Sequence, residues 1–318
     1  MYRNIIFKET TDFTVQEKQQ FRDLFFRVFE KEMDQKLFDR KFLLTPKGYS
    51  YHGLMLNEGV IVGTFNAIPY RYKYFGKELV FGLSVDTMID PDHRGGGHLL
   101  EMAKVVYEAL TRDGIPFILG FPNEYFYKHE KRILGTRDIG ELDYYILPRN
   151  VGAVITKLKL LNCLSRACSR IIIGLSKIPK NAEQRYCIEK VVDEEIEKHR
   201  YDESYSRITL GDGAICIYKI YEERNKIRTL YIIDVSPLTP ASIARAVKQV
   251  YGEAGDSIDI MIYVGALSFR PAGLLKVPHS KKPQRIRMTG KILIPELVDN
   301  SVFTIENWSV NISNFDVR

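Results

Sequence analysis

Residues 83–100 read LSVDTMIDPDHRGGGHLL. An apolar, β-branched run ends at Asp90-Pro91, three glycines follow, and a helical pattern opens at His98. Gly95, Gly96 and Gly97 permit positive φ and close approach of another molecule to the backbone. The first N–H groups of a helix have no intrahelical partners and lie at the positive end of its dipole. Strand, glycine turn and helix N-terminus in that order make an anion cradle suited to a pyrophosphate. Arg94 adds a guanidinium that pairs with phosphate in bidentate fashion. The competing reading is a plain glycine turn between strand and helix; the flanking Asp90-Pro91 and Arg94, with an amphipathic helix behind them, favour the anion. No Gly-Lys-Ser/Thr occurs in the sequence, which excludes a nucleotide-hydrolysing loop. No βαβ unit with GxGxxG precedes the turn, so the dinucleotide fingerprint is excluded as well.

The elements that must position this loop follow from periodicity. Asn4–Thr10 reads as a strand and Thr14–Met33 as a helix, with Phe21, Leu24, Phe25, Val28 and Phe29 on one face. Thr14 and Glu17 form a capping box. His52–Leu56 and Val60–Ala67 read as a hairpin, and Ile68–Phe75 with Leu79–Ile89 as a second antiparallel pair around Gly76-Lys77. Leu99, Met102, Ala103, Val106 and Leu110 mark the helix behind the glycines, which Gly114 stops. Phe117–Phe121 is a short buried strand, Glu124–Leu134 a helix and Ile139–Leu147 a strand. The result is a mixed α/β unit with one parallel crossover, and ligands in open α/β sheets favour such switch points.

The chain has 318 residues, about two domains' worth. Hydrophobic residues make up 45% and charged residues 27%, the composition of a globular protein. No stretch reaches the roughly 18 apolar residues of a membrane span, and residues 1–13 lack a secretory apolar core. A cytoplasmic chain is expected. Cys163, Cys168, Cys187 and Cys216 suit neither a disulfide framework nor a CxxC metal site. His93, His98 and His129 lack metal spacing, and no metal is expected. The net charge is +6, and the segment Val151–Ala182 alone carries Lys157, Lys159, Arg166, Arg170, Lys177 and Lys180 with no acid. The remainder sums to zero, unlike a general nucleic-acid binder.

Three parts are expected: residues 1–150, a basic amphipathic helix within 151–180, and a C-terminal α/β domain over 181–318. Gly152–Ile178 reads as one helix with Leu158, Leu161, Leu164, Cys168, Ile171, Leu175 and Ile178 on its apolar stripe. The favoured reading packs that stripe between the two domains; the alternative lays it on an anionic membrane surface. In the last part, Ala214–Tyr221 and Ile227–Val235 read as a hairpin, Thr239–Tyr251 as a helix and Ile258–Tyr263 as a strand. That order repeats the middle of the first part, as a degenerate second copy would. The glycine loop is replaced there by Asp234-Val235-Ser236-Pro237-Leu238-Thr239-Pro240, so one active site per chain is expected.

The stretch Arg94-Gly95-Gly96-Gly97-His98-Leu99 resembles the pyrophosphate loop of the GCN5-related N-acetyltransferase superfamily, whose pattern is Arg/Gln-x-x-Gly-x-Gly/Ala. Leu99 departs from it at the last position. Pro122-Asn123 and Leu134-Gly135 resemble a second family feature, and the element order of residues 1–150 fits too. The resemblance implies the acyl-CoA N-acyltransferase fold: α/β of the α+β kind, a mixed and mostly antiparallel sheet, and a second, smaller domain of like type. It implies acetyl-CoA as co-substrate, held by Val85, Thr87, Met88, Arg94, Gly95, Gly96, Gly97, His98, Leu99 and Asn123. A backbone N–H near Thr87 or Met88 would polarise the thioester carbonyl. An amine, on a small molecule or sugar above all, would attack directly. Asp86 is the first choice for the base or amine contact, against the reading of a solvated strand carboxylate. Tyr127 is the choice for the acid, against that of a packing aromatic; Glu130 stands where the family's acidic Tyr usually is. The rivals are a non-catalytic CoA-sensing, membrane-binding or partner-binding module, and an aminoacyl-tRNA-dependent transferase, which predicts salt-sensitive tRNA binding.

Overall fold

The structure is a computed structural model that describes residues 4–315, except 96, 155, 180–185 and 224. In chain order its strands are β1 (Asn4–Glu9), β2 (Tyr51–Asn57), β3 (Val60–Tyr74), β4 (Lys77–Ile89), β5 (Phe117–Gly120), β6 (Arg137–Glu141), β7 (Asp143–Pro148), β8 (Ile188–Lys190), β9 (Ser206–Thr209), β10 (Ile215–Glu222), β11 (Arg228–Ser236), β12 (Ile260–Ala266), β13 (Leu275–Lys276), β14 (Arg287–Ile292) and β15 (Trp308–Asn311). The helices are α1 (Val15–Phe29), α2 (Gln35–Phe42), α3 (His98–Arg112), α4 (Glu124–His129), α5 (Val151–Val154), α6 (Asn162–Leu175), α7 (Glu194–Arg200) and α8 (Pro240–Ala254). They fall into two compact units. The first comprises Met1–Gly140, Ile188–Arg200 and Ile286–Asn307; the second comprises Glu141–Cys187, Tyr201–Arg285 and Trp308–Arg318.

The sheet of the first unit runs β1-β2-β3-β4-β5-β14-β6. Only the β4–β5 pair among its registered ladders is parallel, and α3 is the crossover. Both faces are covered. On one, Leu99, Met102, Ala103, Val106 and Leu110 of α3 pack on Tyr51, Met55, Val62, Phe65 and Ala67. On the other, Phe21, Leu24 and Phe25 of α1 and Phe38 and Phe42 of α2 pack on Leu54, Ile61, Ile68 and Met88. Each such side chain contributes about 1.5–3 kcal/mol by leaving water. Helix α3 lies so close to β2 that a Cβ on Gly53 would stand 2.2 Å from the Met102 carbonyl oxygen. Its C-terminal end is pinned by Asp113, which accepts hydrogen bonds from Tyr51 (2.7 Å) and Lys47 (3.1 Å). Partial burial would raise that carboxyl, but these bonds hold it at about 2.

Beneath α1 and α2 runs a buried polar chain. Thr10 Oγ1 lies 2.8 Å from His52 Nε2, and His52 Nδ1 lies 2.8 Å from Asn66 Oδ1. The amide oxygen can only accept, so Nδ1 carries the imidazole proton and Nε2 accepts from the Thr10 hydroxyl.

In the second unit β9-β10-β11-β12 are neighbours, with β11 and β12 parallel and α8 between them in sequence. β7 lies antiparallel to β12, β13 pairs with β7 in turn, and β15 pairs with the end of β12. Ile243, Ala246, Val247 and Val250 of α8 pack on Leu230, Ile232, Met261 and Tyr263. The series β10, β11, α8, β12 has the order of β3, β4, α3, β5. β11 even carries one extra residue opposite Ile217–Tyr218, as β4 does opposite Thr64–Asn66.

Two expectations change. The parts 1–150 and 181–318 are not the units: 286–307 returns to the first unit and 141–150 belongs to the second. Strand pairing such as β14 on β5 leaves no local trace in the sequence. The single helix over Gly152–Ile178 is instead α5, a 3-10 turn Thr156–Leu161 kinked at Leu158, and α6. The chain doubles back there, with Gly152 against the Lys159 backbone and its N–H bonded to Asn162 Oδ1 at 2.7 Å. Helix α6 then turns Ser165, Ser169, Ile172 and Ile173 inward. Ser165 Oγ donates to the Arg149 carbonyl (2.7 Å), and Ser169 Oγ meets Tyr251 Oη at 2.8 Å. Leu164, Ile171 and Leu175 are left exposed rather than packed between domains.

Burial pushes His52 down from 6.5 to about 4, with the Asn66 bond opposing. Unfolding therefore takes up a proton as pH falls, so stability is full above 6.5 and is lost towards about 4. Denaturant titrations should register a loss on the order of 3 kcal/mol across that window. A His52→Gln variant, less stable at pH 7, should lack this slope; an equal slope in both would remove His52 as its source.

Candidate active site

The β4–β5 ladder pairs Gly82, Leu83 and Ser84 with Ile118, Leu119 and Gly120 and goes no further. β5 ends at Gly120, while β4 stays paired with β3 to Ile89. The two parallel strands therefore part beyond Ser84. At that point β4 bulges: Thr64 pairs with Met88 but Asn66 with Val85, and Asp86 sits at φ +42°. A left-handed non-glycine residue is costly and persists only when its surroundings hold it.

Asn66 supplies much of that hold. Its Nδ2 donates to the carbonyls of Asp86 (2.9 Å) and Val85 (3.3 Å). Its Oδ1 accepts from Thr64 and from His52. In a planar trans peptide C=O and N–H point in opposite directions. The N–H groups of Asp86 and Thr87 are thus turned away from Asn66. The Asp86 carboxylate forms a buried ion pair with Lys41 of α2 at 2.5 Å. The residue read from sequence as a base is accordingly held by an ammonium, which ties α2 to the bulge.

Beyond β4, Asp90 caps the 91–93 turn and pairs with Arg27 at 3.0 Å. Gly95 and Gly97 stand at φ +103° and +77°, and a Cβ on either would meet open space. Gly97 is the N-cap of α3 and offers no side chain to its first N–H groups. Arg94 is exposed and its Nε donates to the Ile89 carbonyl at 3.2 Å. His98 lies 3.4 Å from Glu101. Gly96 lies outside the described residues. An uncapped helix N-terminus behind two open, left-handed glycines fits a diphosphate. By contrast, Thr239 and Ser242 close the N-terminus of α8 with a capping box, and Pro240 occupies its first turn.

The structure reassigns some expected side chains. The side chains of Leu99, Val85 and Met88 pack into the two cores, which leaves only their backbone for any ligand. Asn123 caps α4, its Oδ1 accepting from Phe126 N at 2.8 Å. Tyr127 Oη donates to Asp138 at 2.8 Å, and its ring lies under Arg287.

The group set against the end of β5 is Glu130. It opens the π-turn Glu130–Leu134, and its Oε1 lies 3.5 Å from where a Cβ on Gly120 would stand. Its Oε2 accepts from Thr289 Oγ1 of β14 at 2.8 Å. The side chain is buried, and burial pushes the carboxyl up to about 7; the Thr289 bond opposes the rise and the charge of Asp138 adds to it. A carboxyl near neutrality at the parting of two strands is chemically able to give or take a proton there.

Residues 10–130 match the model of the acetyltransferase (GNAT) domain. This chain carries a GNAT domain. The likeness of fold extends beyond the matched residues into the second unit. A probable N-acyltransferase of Enterococcus faecalis V583 aligns over 92% of this chain and 73% of its own, with 13% identity and a TM-score of 0.60. A GCN5-related N-acetyltransferase of Kribbella flavida aligns over 91% and 71%, with 14% identity and a TM-score of 0.60. The N-myristoyltransferase of Saccharomyces cerevisiae, solved with bound myristoyl-CoA, aligns over 90% and 78%, with 11% identity and a TM-score of 0.51. No curated protein sequence matches the chain.

Sequence reasoning noticed the place of Glu130 in the GNAT pattern but not its burial. Asn66 and His52 had a faint signal, as lone polar residues inside apolar strands. Lys41 and Thr289 had none, since each reaches the site only through tertiary pairing.

The native Glu130 keeps its proton to higher pH than the unfolded chain does. That contribution is present below 4.5 and is lost as pH rises through about 7. Glu130→Gln should therefore be neutral to folding near pH 4.5 and stabilising at pH 8, by on the order of 3 kcal/mol at most. A pH-independent difference between the two proteins in thermal melts would show that Glu130 is not a raised carboxyl.

Proposed function

We propose that the chain is an N-acyltransferase that moves an acyl group, acetyl first, from its coenzyme A thioester to an amine. The observation that carries this is the parting of β4 and β5 at a pinned bulge, beside an uncapped helix N-terminus behind open glycines. The GNAT domain at 10–130 and the likeness to a fold that holds myristoyl-CoA in yeast support the same class. In this reading the N–H groups of His98 and Leu99, with Gly95, Gly96, Gly97 and Arg94, hold the diphosphate. The backbone of Val85–Met88 lines the pantetheine, and the Thr87 N–H faces the thioester carbonyl oxygen, where negative charge develops.

The amine arrives as free base. Its nitrogen bonds to the carbonyl carbon, the carbon–sulfur bond breaks, and Glu130 gives its proton to the departing thiolate. The surplus proton on the nitrogen passes to solvent. Glu130 takes the acid role first read onto Tyr127, whose hydroxyl is engaged with Asp138. Asp86 acts as a positioning residue through Lys41. The second unit resembles a degenerate copy without a CoA site, because α8 closes its own N-terminus.

Calorimetric titration with acetyl-CoA and longer acyl-CoAs tests the donor. Binding should be micromolar, and Gly97→Ala, whose Cβ would project into the open cradle, should weaken it by about tenfold or more. Equal affinity in the two proteins would sink the assignment. With an amine acceptor in hand, Glu130→Gln should lower kcat by about a hundredfold with little change in acetyl-CoA affinity. It should also remove a fall in kcat as pH rises through 7; an unaltered profile would remove Glu130 from the chemistry. Lys41→Met and Asp86→Asn should impair turnover to the same extent, and their combination no further. A much larger loss from Asp86→Asn alone would restore Asp86 as the base.

A further inference from the structure

We propose that the outward face of residues 157–177 is a docking surface for an anionic lipid bilayer. Leu160 is 96% exposed, Leu175 75%, Leu164 60% and Ile171 57%. On α6 the last three are separated by steps of seven and four, so they share one face with exposed Ala167 and Cys168. Leu160 and Leu161 extend the stripe into the preceding turn. Isolated exposed leucines are ordinary, but a contiguous apolar stripe marks a contact.

Exposed cations flank it: Lys157 and Lys159 in the turn, Arg166 and Arg170 on α6, and Lys177 beyond its end. No acidic residue occurs from Val151 to Ala182. Asp256, an exposed carboxylate nearby, stands 4.0 Å from Arg170 and accepts from Arg149. An apolar stripe rimmed by cations complements acyl chains below anionic headgroups. A second copy of the face would set like charges against one another, and nucleic acid would leave the leucines in water. The inner face is already fixed: Ile172 and Ile173 pack on the core of the second unit. The stripe is therefore presented without unfolding. At about 21 Å, α6 is suited to lie in the interface, not to cross it. Among the described residues no helix is long and apolar enough to span a membrane. This inference is independent of the proposed chemistry.

The full chain should be sedimented with vesicles of phosphatidylcholine alone and with about 30 mol % phosphatidylglycerol added. Binding should appear on the anionic vesicles and weaken with salt. The combined substitutions Leu164→Ser, Ile171→Ser and Leu175→Ser should lower partitioning about tenfold or more. Thermal unfolding should scarcely change, since these side chains are in solvent already. Lys157→Gln with Lys159→Gln and Lys177→Gln should weaken binding and flatten its salt dependence. Three results would overturn the proposal: no binding to anionic vesicles, full binding by the serine variant, or a dimer in sedimentation equilibrium that the serine substitutions dissolve.

Discussion

Asn66 donates both hydrogens of its amide to successive carbonyls, those of Val85 and Asp86, and so fixes two peptides that a regular strand would turn in alternate directions. The bulge, the left-handed Asp86 and the orientation of the Thr87 N–H all follow from it. Asn66 is itself held by Thr64 and His52, and His52 by Thr10. In the neutral ring one nitrogen donates to Asn66 and the other accepts from Thr10. Full burial secures that state. A proton arrangement deep under two helices thus sets the geometry of a strand edge.

The two units use one order of elements and treat their helix N-termini in opposite ways. At the start of α8 the Thr239 and Ser242 N–H groups are satisfied by each other's hydroxyls, and Pro240 has no N–H to offer. Helix α3 begins at a glycine with no side chain to give. Capping is worth about 1 kcal/mol to a helix. Leaving α3 uncapped gives up that stability and leaves its first N–H groups without a side-chain partner. In the proposed reading this contrast favours one such site per chain, although the element orders are alike.

Much of this was legible in the sequence. The glycine run before an amphipathic pattern located the loop and α3, and the hairpin signals located β2, β3 and β4. The absence of glycine from 234–240 pointed to a second part without a glycine loop. Periodicity was misleading at 152–178. It found a good apolar stripe in Leu164, Ile171 and Leu175, but inward packing was decided by Ser165, Ser169, Ile172 and Ile173, through hydroxyl bonds and core contacts that no pattern reveals. The proton chemistry was hardest to place. Asp86 looked available until α2 supplied Lys41, and Glu130 looked ordinary until β14 and the end of β5 enclosed it.

The strand that holds Glu130 is the last of the first unit to be made. β5 is complete once Gly120 leaves the ribosome, but its partner β14 begins only at Arg287. At 5–20 residues per second, one edge of β5 waits roughly 10–30 s for that partner. During this time Phe117–Gly120 presents an unpaired, fully apolar edge, the kind of template on which chains pair wrongly. Nascent chains therefore pass through a window in which this edge has no β14 to pair with. The surroundings of Glu130 are complete only once Thr289 of β14 has joined the end of β5.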